Sequence, residues 1–263
     1  MDLEKRHREI ALPCVRVQAR TARGSGTVIY SKDGGTYILT NHHVVGSCIK
    51  IEKKWSTLLK KERKMDVFEI VDVHLFDYKY ESRAIGGLTI QSDILAYDPE
   101  EDLALLKLRS ATPAASVAKL YPRERESDLR IGMGVITVGA GLGAAPVQTE
   151  GILSQFGQEI DRREYWLNTA PSIFGNSGGA MFLKDTFELL GVPARIAVAN
   201  MGLSADAITH LSYAIPITRI YNFLEGQKFR FIYDDNFTEE SEFELRKEIR
   251  EREEKRQAET GEN

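Results

Sequence analysis

Gly24–Val45, GSGTVIYSKDGGTYILTNHHVV, reads as two short strands joined by a tight turn. GTVIY and TYILT are rich in β-branched and aromatic residues, and SKDGG between them carries the Asp and Gly of a reversal. The same texture extends in both directions. CVRVQAR lies before this segment, and VFEIVDVHLF, LALLKL, GVITVG, ARIAVAN and LSYAIPI follow it. AIGG, YDPEED and GAGLGAAP punctuate these runs as turns. Many short strands at this spacing predict an all-β sandwich or barrel rather than alternating strands and helices. Ser110–Asp128, irregular and with two prolines, divides the strand-rich part into halves of about 12–118 and 126–226. Residues 1–11 then form an N-terminal extension and 227–263 a charged tail.

The chain has 263 residues, 42% hydrophobic and 28% charged, with a net charge of -4. This composition suits a globular protein with a substantial core and gives no bulk case for binding nucleic acid or membrane. No run reaches the roughly 18–20 apolar residues that span a bilayer. MDLEKRHREIALPC is charged and lacks the apolar stretch of a secretory signal. The two cysteines, Cys14 and Cys48, are expected as unpaired, partly buried thiols, with one disulfide as the alternative. These features predict a cytoplasmic protein.

Two segments break the strand pattern. Lys50–Lys64, KIEKKWSTLLKKERK, has seven basic and two acidic residues and is expected as a loop. Thr238–Asn263 has ten Glu against six Lys or Arg, so it carries the whole net charge. EFELRKEIREREEKRQAE places opposite charges at i,i+3 and i,i+4, which predicts a solvated helix, either exposed or docking.

Acyl transfer by serine needs an exposed hydroxyl, an imidazole base, a carboxylate that orients it, and N–H groups aimed at the oxyanion. APSIFGNSGGAMF meets the last demand: Ser177 lies between Gly175 and the pair Gly178–Gly179, where backbone can approach a substrate closely. The oxyanion hole would use the amides of Gly175 and Ser177, with Asn176 between them. Taken alone, GNSGG also fits an ordinary turn. The adjacent His42 and His43 could suggest a metal, but neighbouring strand residues face opposite ways and no ligand cluster accompanies them. Neither metal nor cofactor is expected.

GNSGG resembles the nucleophile motif of the trypsin-like superfamily and is especially similar to that of the HtrA/Deg proteases. Gly24–Val45 resembles the segment that ends in Thr-Asn-x-His-Val-Val, which implies His43 as general base. YDPEEDLALLKL resembles the segment with an aspartate before an apolar strand, which implies Asp102 rather than Asp98, Glu100 or Glu101 as the triad carboxylate. GMGVITVGAGLGAAPVQTEGILSQ and LSYAIPITRIYNFL look like further parts of the same domain, extending the likeness over about Leu12–Leu224. The resemblance implies two Greek-key six-stranded β-barrels and a serine endopeptidase acting through an acyl-enzyme. A latent or inactive pseudo-protease that binds proteins is the alternative.

Departures from the family pattern carry their own expectations. His43 and Asp102 are 59 positions apart, longer than in a compact HtrA-like barrel, with the excess in Lys50–Lys64 and Asp66–Ser82. A PDZ domain is not expected in the residues after Leu224. Pro171 stands six positions before Ser177, where an acidic residue would select a basic P1 side chain. With Ala170 and Ser172 beside it and Ala197, Val198, Ala199 and Asn200 as the facing wall, a small or medium aliphatic P1 residue is expected. Asn176 replaces the aspartate that pairs with a freshly cut N-terminus in pancreatic-type zymogens. The expected partners are protein or peptide substrates, and a regulatory protein at Lys50–Lys64 or the tail; membrane and nucleic acid are not expected.

Overall fold

The computed structural model describes residues 2–32, 35–56, 61–201 and 204–260. A short helix α1 (Leu3–Arg6) and a further turn (His7–Ala11) precede the strands β1 (Cys14–Gln18), β2 (Arg23–Lys32) and β3 (Gly35–Thr40). One helical turn, α2 (His42–Val45), then leads to β4 (Ile49–Ser56), β5 (Lys61–Phe68), β6 (Val71–Lys79), β7 (Arg83–Asp98) and β8 (Leu103–Leu108). The second half contains β9 (Gly134–Gly139), β10 (Val147–Ile160), β11 (Arg163–Asn168), β12 (Ala180–Leu183), β13 (Leu189–Met201) and β14 (Ser204–Pro216). Helices α3 (Ile217–Gly226) and α4 (Glu239–Thr260) end the fold.

The strands close into two six-stranded antiparallel barrels, in the orders β1-β2-β3-β8-β7-β6 and β10-β11-β14-β13-β12-β9. Closure pairs every strand on both sides, which removes the open edges of a flat sheet. Val15, Val17, Val28, Ile38, Val73 and Leu106 fill the first interior. A larger apolar cluster fills the second and continues across the seam through Tyr37, Ala118, Leu120 and Tyr121. The irregular division Ser110–Asp128 therefore lies partly inside the core, with Ala118 and Tyr121 buried.

Lys50–Lys64 is not a loop in its described part. β4 and β5 pair in register from Ile49↔Phe68 to Ser56↔Lys61, forming a two-stranded sheet outside both barrels. Residues 57–60 lie outside the described residues. The run VFEIVDVHLF is broken after Phe68, where the hairpin ends and β6 returns to the barrel.

Each end of the chain crosses to the other barrel. Before the first barrel, Arg6 Nε donates to Gln148 of β10 across 2.7 Å and its guanidinium pairs with Glu150. Ile10 is fully buried. After the second barrel, Glu239 of α4 accepts from the Tyr37 hydroxyl at 2.5 Å and pairs with Lys107, both in the first barrel. Glu242, 1% exposed, accepts from the Arg230 backbone N–H at 3.0 Å and from its guanidinium at 2.6 Å. Arg246 stacks over Phe229 at 4.0 Å. The start of the tail helix is thus docked, whereas Glu248, Glu251, Arg252 and Glu253 are exposed. Cys14 and Cys48 are both free and buried. No described helix is long and apolar enough to cross a membrane.

Candidate active site

The segment from Asn41 to Val45 turns out of β3 into α2, anchored by the buried side chains of Val44 and Val45. That anchor leaves His43 at the surface, its side chain 48% exposed. Asp102 stands at the entry to β8 with φ +53°, a left-handed conformation that costs a non-glycine residue strain and that aspartate tolerates better than most. Its carbonyl accepts from Asn41 Nδ2 at 2.8 Å, so a buried asparagine holds the strained peptide.

His43 Nδ1 lies 2.8 Å from Asp102 Oδ2 and 3.0 Å from Oδ1. The His43 backbone N–H also donates to Oδ1 at 3.0 Å, fixing the carboxylate relative to the imidazole. The neighbouring acids have other tasks. Asp98 accepts from the N–H groups of Glu100 and Glu101 and caps the turn; Glu100 and Glu101 pair with Arg163. His42 lines the same cleft but is stacked on Tyr97 at 5.5 Å. Burial holds its imidazole below the usual histidine range, against the opposing pull of Asp102. Among the described residues there is no group of three or more metal-ligating side chains.

The loop around Ser177 is fixed carbonyl by carbonyl. The Phe174 carbonyl accepts from the Leu142 N–H at 2.8 Å, and the Asn176 carbonyl from the Gly179 N–H at 2.9 Å. The Gly175 carbonyl accepts from the Ser25 hydroxyl at 2.6 Å, and the Ser177 carbonyl from the Ser25 N–H at 2.8 Å. In a trans peptide the N–H points opposite to the C=O. Tying the carbonyls of Phe174 and Asn176 therefore turns the N–H groups of Gly175 and Ser177 the other way, and neither meets an acceptor among the described residues. Gly175 has φ +98° and Gly178 φ +84°; a Cβ on Gly178 would come within 2.2 Å of the Ser25 carbonyl oxygen. These constraints explain the glycines that flank the serine.

Ser25 is the functional residue that the sequence reading missed. Fully buried, it also accepts from the Ala140 N–H at 2.7 Å, linking β2 of the first barrel to the glycine-rich loop of the second. Asn41 was missed in the same way. Each stands inside the Gly24–Val45 segment, but only its long-range bonds give it a role.

A cleft of about 890 Å³ opens beside His43 and Asp102, walled by Arg162, Arg163, Ala194 and Arg195. Of the expected specificity residues, Ala170 and Ser172 are buried and Pro171 is exposed. The strand segment that reaches this cleft is Ala194–Arg195; Ala197–Asn200 continues outward along the β13–β14 hairpin, where Val198 is exposed. The side chains of Ala199 and Asn200 lie outside the described residues.

Residues 24–192 match the trypsin-like peptidase domain. The chain belongs to the trypsin-like peptidase family. Within that family it is HtrA/Deg-like. It is 30% identical over 198 residues to a probable periplasmic serine endoprotease DegP-like of Pseudomonas fulva, covering 74% of this chain and 32% of the relative. It is 27% identical over 217 residues to the serine protease Do-like HtrA of Lactococcus lactis, covering 78% and 44%. Against the periplasmic pH-dependent serine endoprotease DegQ of Escherichia coli the identity is 28%, with 73% and 35% covered. The chain thus spans from a third to less than half of these trypsin-like relatives. Two of the three are named periplasmic, which overturns the cytoplasmic expectation. That expectation rested on few cysteines and a charged N-terminal stretch, and two buried free thiols are compatible with either compartment.

Proposed function

We propose that this chain is a serine endopeptidase that cleaves protein substrates through an acyl-enzyme. The observation that carries the reading is the pairing of His43 Nδ1 with Asp102 at 2.8 Å beside a turn whose Gly175 and Ser177 N–H groups have no acceptor among the described residues. Ser177 Oγ attacks the substrate carbonyl carbon as His43 Nε2 takes its proton. Asp102 accepts from Nδ1–H and stabilises the resulting imidazolium. The negative charge forming on the carbonyl oxygen meets the two N–H groups, an electrostatic contribution on the order of 10²–10³ in rate per donor. His43 then protonates the leaving amine, and water repeats the sequence to release the acid. No metal or cofactor enters this chemistry.

The Ser177 hydroxyl makes no hydrogen bond among the described residues, His43 included. Closure of that contact accompanies substrate binding in this mechanism, as catalytic hydrogen bonds tighten in the loaded enzyme. The same observation favours a second reading, a latent or inactive protease that binds proteins. For the active enzyme, the pocket preceding Ser177 offers no carboxylate to a basic P1 side chain, and a small or medium aliphatic P1 residue is our reading. The names of the relatives support a site of action outside the cytoplasm.

Labelling with a fluorophosphonate probe separates the readings. Labelling of the wild type that vanishes in Ser177→Ala and falls by about 10³-fold or more in His43→Ala supports the peptidase. No labelling of a folded wild type, alone or with unfolded protein present, would leave the binding reading.

A further inference from the structure

The β4–β5 hairpin leaves the first barrel six residues after His43, and its root remains part of the catalytic neighbourhood. Phe68 meets Tyr97 edge-on at 6.0 Å, and Tyr97 stacks on His42 at 5.5 Å. The Tyr97 hydroxyl donates to Asp66 at 2.8 Å, pinning the returning strand.

Directly opposed residues of an antiparallel pair share a face, as do alternate residues along each strand. One face of the hairpin therefore carries Ile51, Lys53 and Trp55, with Asp66, Lys64 and Glu62 opposite them. Asp66 is taken up by the Tyr97 hydroxyl, so two lysines stand there against Glu62. Ile51 is 68% exposed and Trp55 64%. Lys53, Lys54 and Lys64 are exposed and have no acidic partner among the described residues. Like charges set directly opposite destabilise a strand pair, and Lys54 is likewise in register with Arg63. A two-stranded sheet of this kind gains from an anionic ligand laid across it. A further cation stands in the cleft itself. Arg162 lines it next to His43 with no carboxylate partner among the described residues, whereas the nearby Arg163 and Arg195 are paired.

We propose that the hairpin is an exosite for an acidic, extended segment of the polypeptide whose scissile bond lies at Ser177. This inference rests on the peptidase reading. A polypeptide fits better than other polyanions because, among the described residues, β4 and β5 pair only with each other, leaving both outer edges open. An extended peptide adds to such an edge through main-chain hydrogen bonds, with its side chains alternating between the faces. Its carboxylates then meet Lys53 and Lys64, and its apolar side chains meet Ile51 and Trp55. Lys53 is four residues along β4 from the root, roughly 13 Å at about 3.3 Å per residue.

The test compares the full chain with Lys53→Gln/Lys64→Gln and Lys53→Glu/Lys64→Glu. Substrates are casein, unfolded and acidic, and reduced, carboxamidomethylated lysozyme, unfolded and basic. The expected result is a KM for casein that rises about tenfold in the Gln variant and further in the Glu variant. kcat, the fluorophosphonate labelling rate and the KM for lysozyme should stay within about twofold. An unchanged KM for casein with labelling intact would overturn the exosite while leaving the peptidase. The exosite can also be read without turnover, by anisotropy of a labelled Glu-rich dodecapeptide on Ser177→Ala protein. There, salt-sensitive binding lost in Lys53→Glu/Lys64→Glu supports the proposal. Tighter capture of single-stranded RNA or of anionic lipid vesicles by the same lysines would refute it in favour of those ligands.

Discussion

The hydroxyl of Ser25 donates to the carbonyl oxygen of Gly175 across 2.6 Å, so a residue of the first barrel holds a turn that belongs to the second. The Ser25 hydroxyl oxygen itself accepts from the Ala140 N–H, and the Ser25 N–H donates to the carbonyl of Ser177. Ser25→Ala frees the Gly175 peptide and leaves a buried N–H unpaired. We expect kcat to fall about 10²–10³-fold, as for loss of an oxyanion donor, and stability to fall by about 1–3 kcal/mol. Burst kinetics with a peptide ester measure the first. A variant that melts earlier but acylates at the wild-type rate would show that the turn holds itself.

Leu142 has φ +53° and ψ +19°, and its side chain is 78% exposed. Its contribution to the site is the backbone N–H that anchors Phe174. Glycine relieves about 1–2 kcal/mol of left-handed strain but loses about 0.5–1 kcal/mol to chain entropy. Leu142→Gly should therefore melt at or slightly above the wild-type temperature and keep its labelling rate within about threefold. A large loss of labelling would assign the side chain a role that the geometry does not.

Asn41→Ala removes the bond to the Asp102 carbonyl and lets the strained peptide relax. Small misplacement of a catalytic group costs rate on the order of 10²-fold. The expected signature is a lower kcat with little change in KM. A rise in KM alone would place Asn41 in substrate binding instead.

Glu242 is buried and engages Arg230 through backbone and side chain, whereas Arg250, Glu251, Arg252 and Glu253 are exposed. Glu242→Ala should cost about 2–4 kcal/mol by stranding the guanidinium and an N–H group. Deleting residues 250–263 should cost less than about 1 kcal/mol. Urea midpoints for the two variants decide it, and equal losses would mean that the distal helix also docks.

His7, His42 and His74 are each held below the usual histidine range, with burial the leading cause in every case. The folded state then binds fewer protons than the unfolded chain. The contribution of these groups is complete above about pH 6.5 and is lost as pH falls through the lower folded values. Urea midpoints should decline from pH 7 toward pH 5, and His7→Gln should flatten that decline. A midpoint that rose over this interval would contradict the sign.

The all-β character was legible because its signals are local, short β-branched runs and polar turns, whereas the closure into two six-stranded barrels was implied by the resemblance to the HtrA/Deg proteases. Ser25 and Asn41 were not legible as functional residues, since their partners lie 150 and 61 positions away and nothing near them marks the bond. The β4–β5 hairpin was read as a loop because its lysines hide the alternation of Ile49, Ile51 and Trp55. β7 was missed because Gly86 and Gly87, taken for a turn, lie inside the strand. The bulge between Ile196 and Ala197 in β13 has no sequence mark.

The crossing of Glu239 to Tyr37 and Lys107 bears on how the protein is made. Domains on a growing chain generally fold in order of emergence. Here the hydroxyl of Tyr37, on a fully buried side chain of the first barrel, finds its acceptor only after residue 239 has been synthesised. Arg6, in turn, donates to Gln148 of the second barrel. The buried hydroxyl of the first barrel is therefore satisfied only once α4 has docked, which couples completion of that barrel to residues that follow the second.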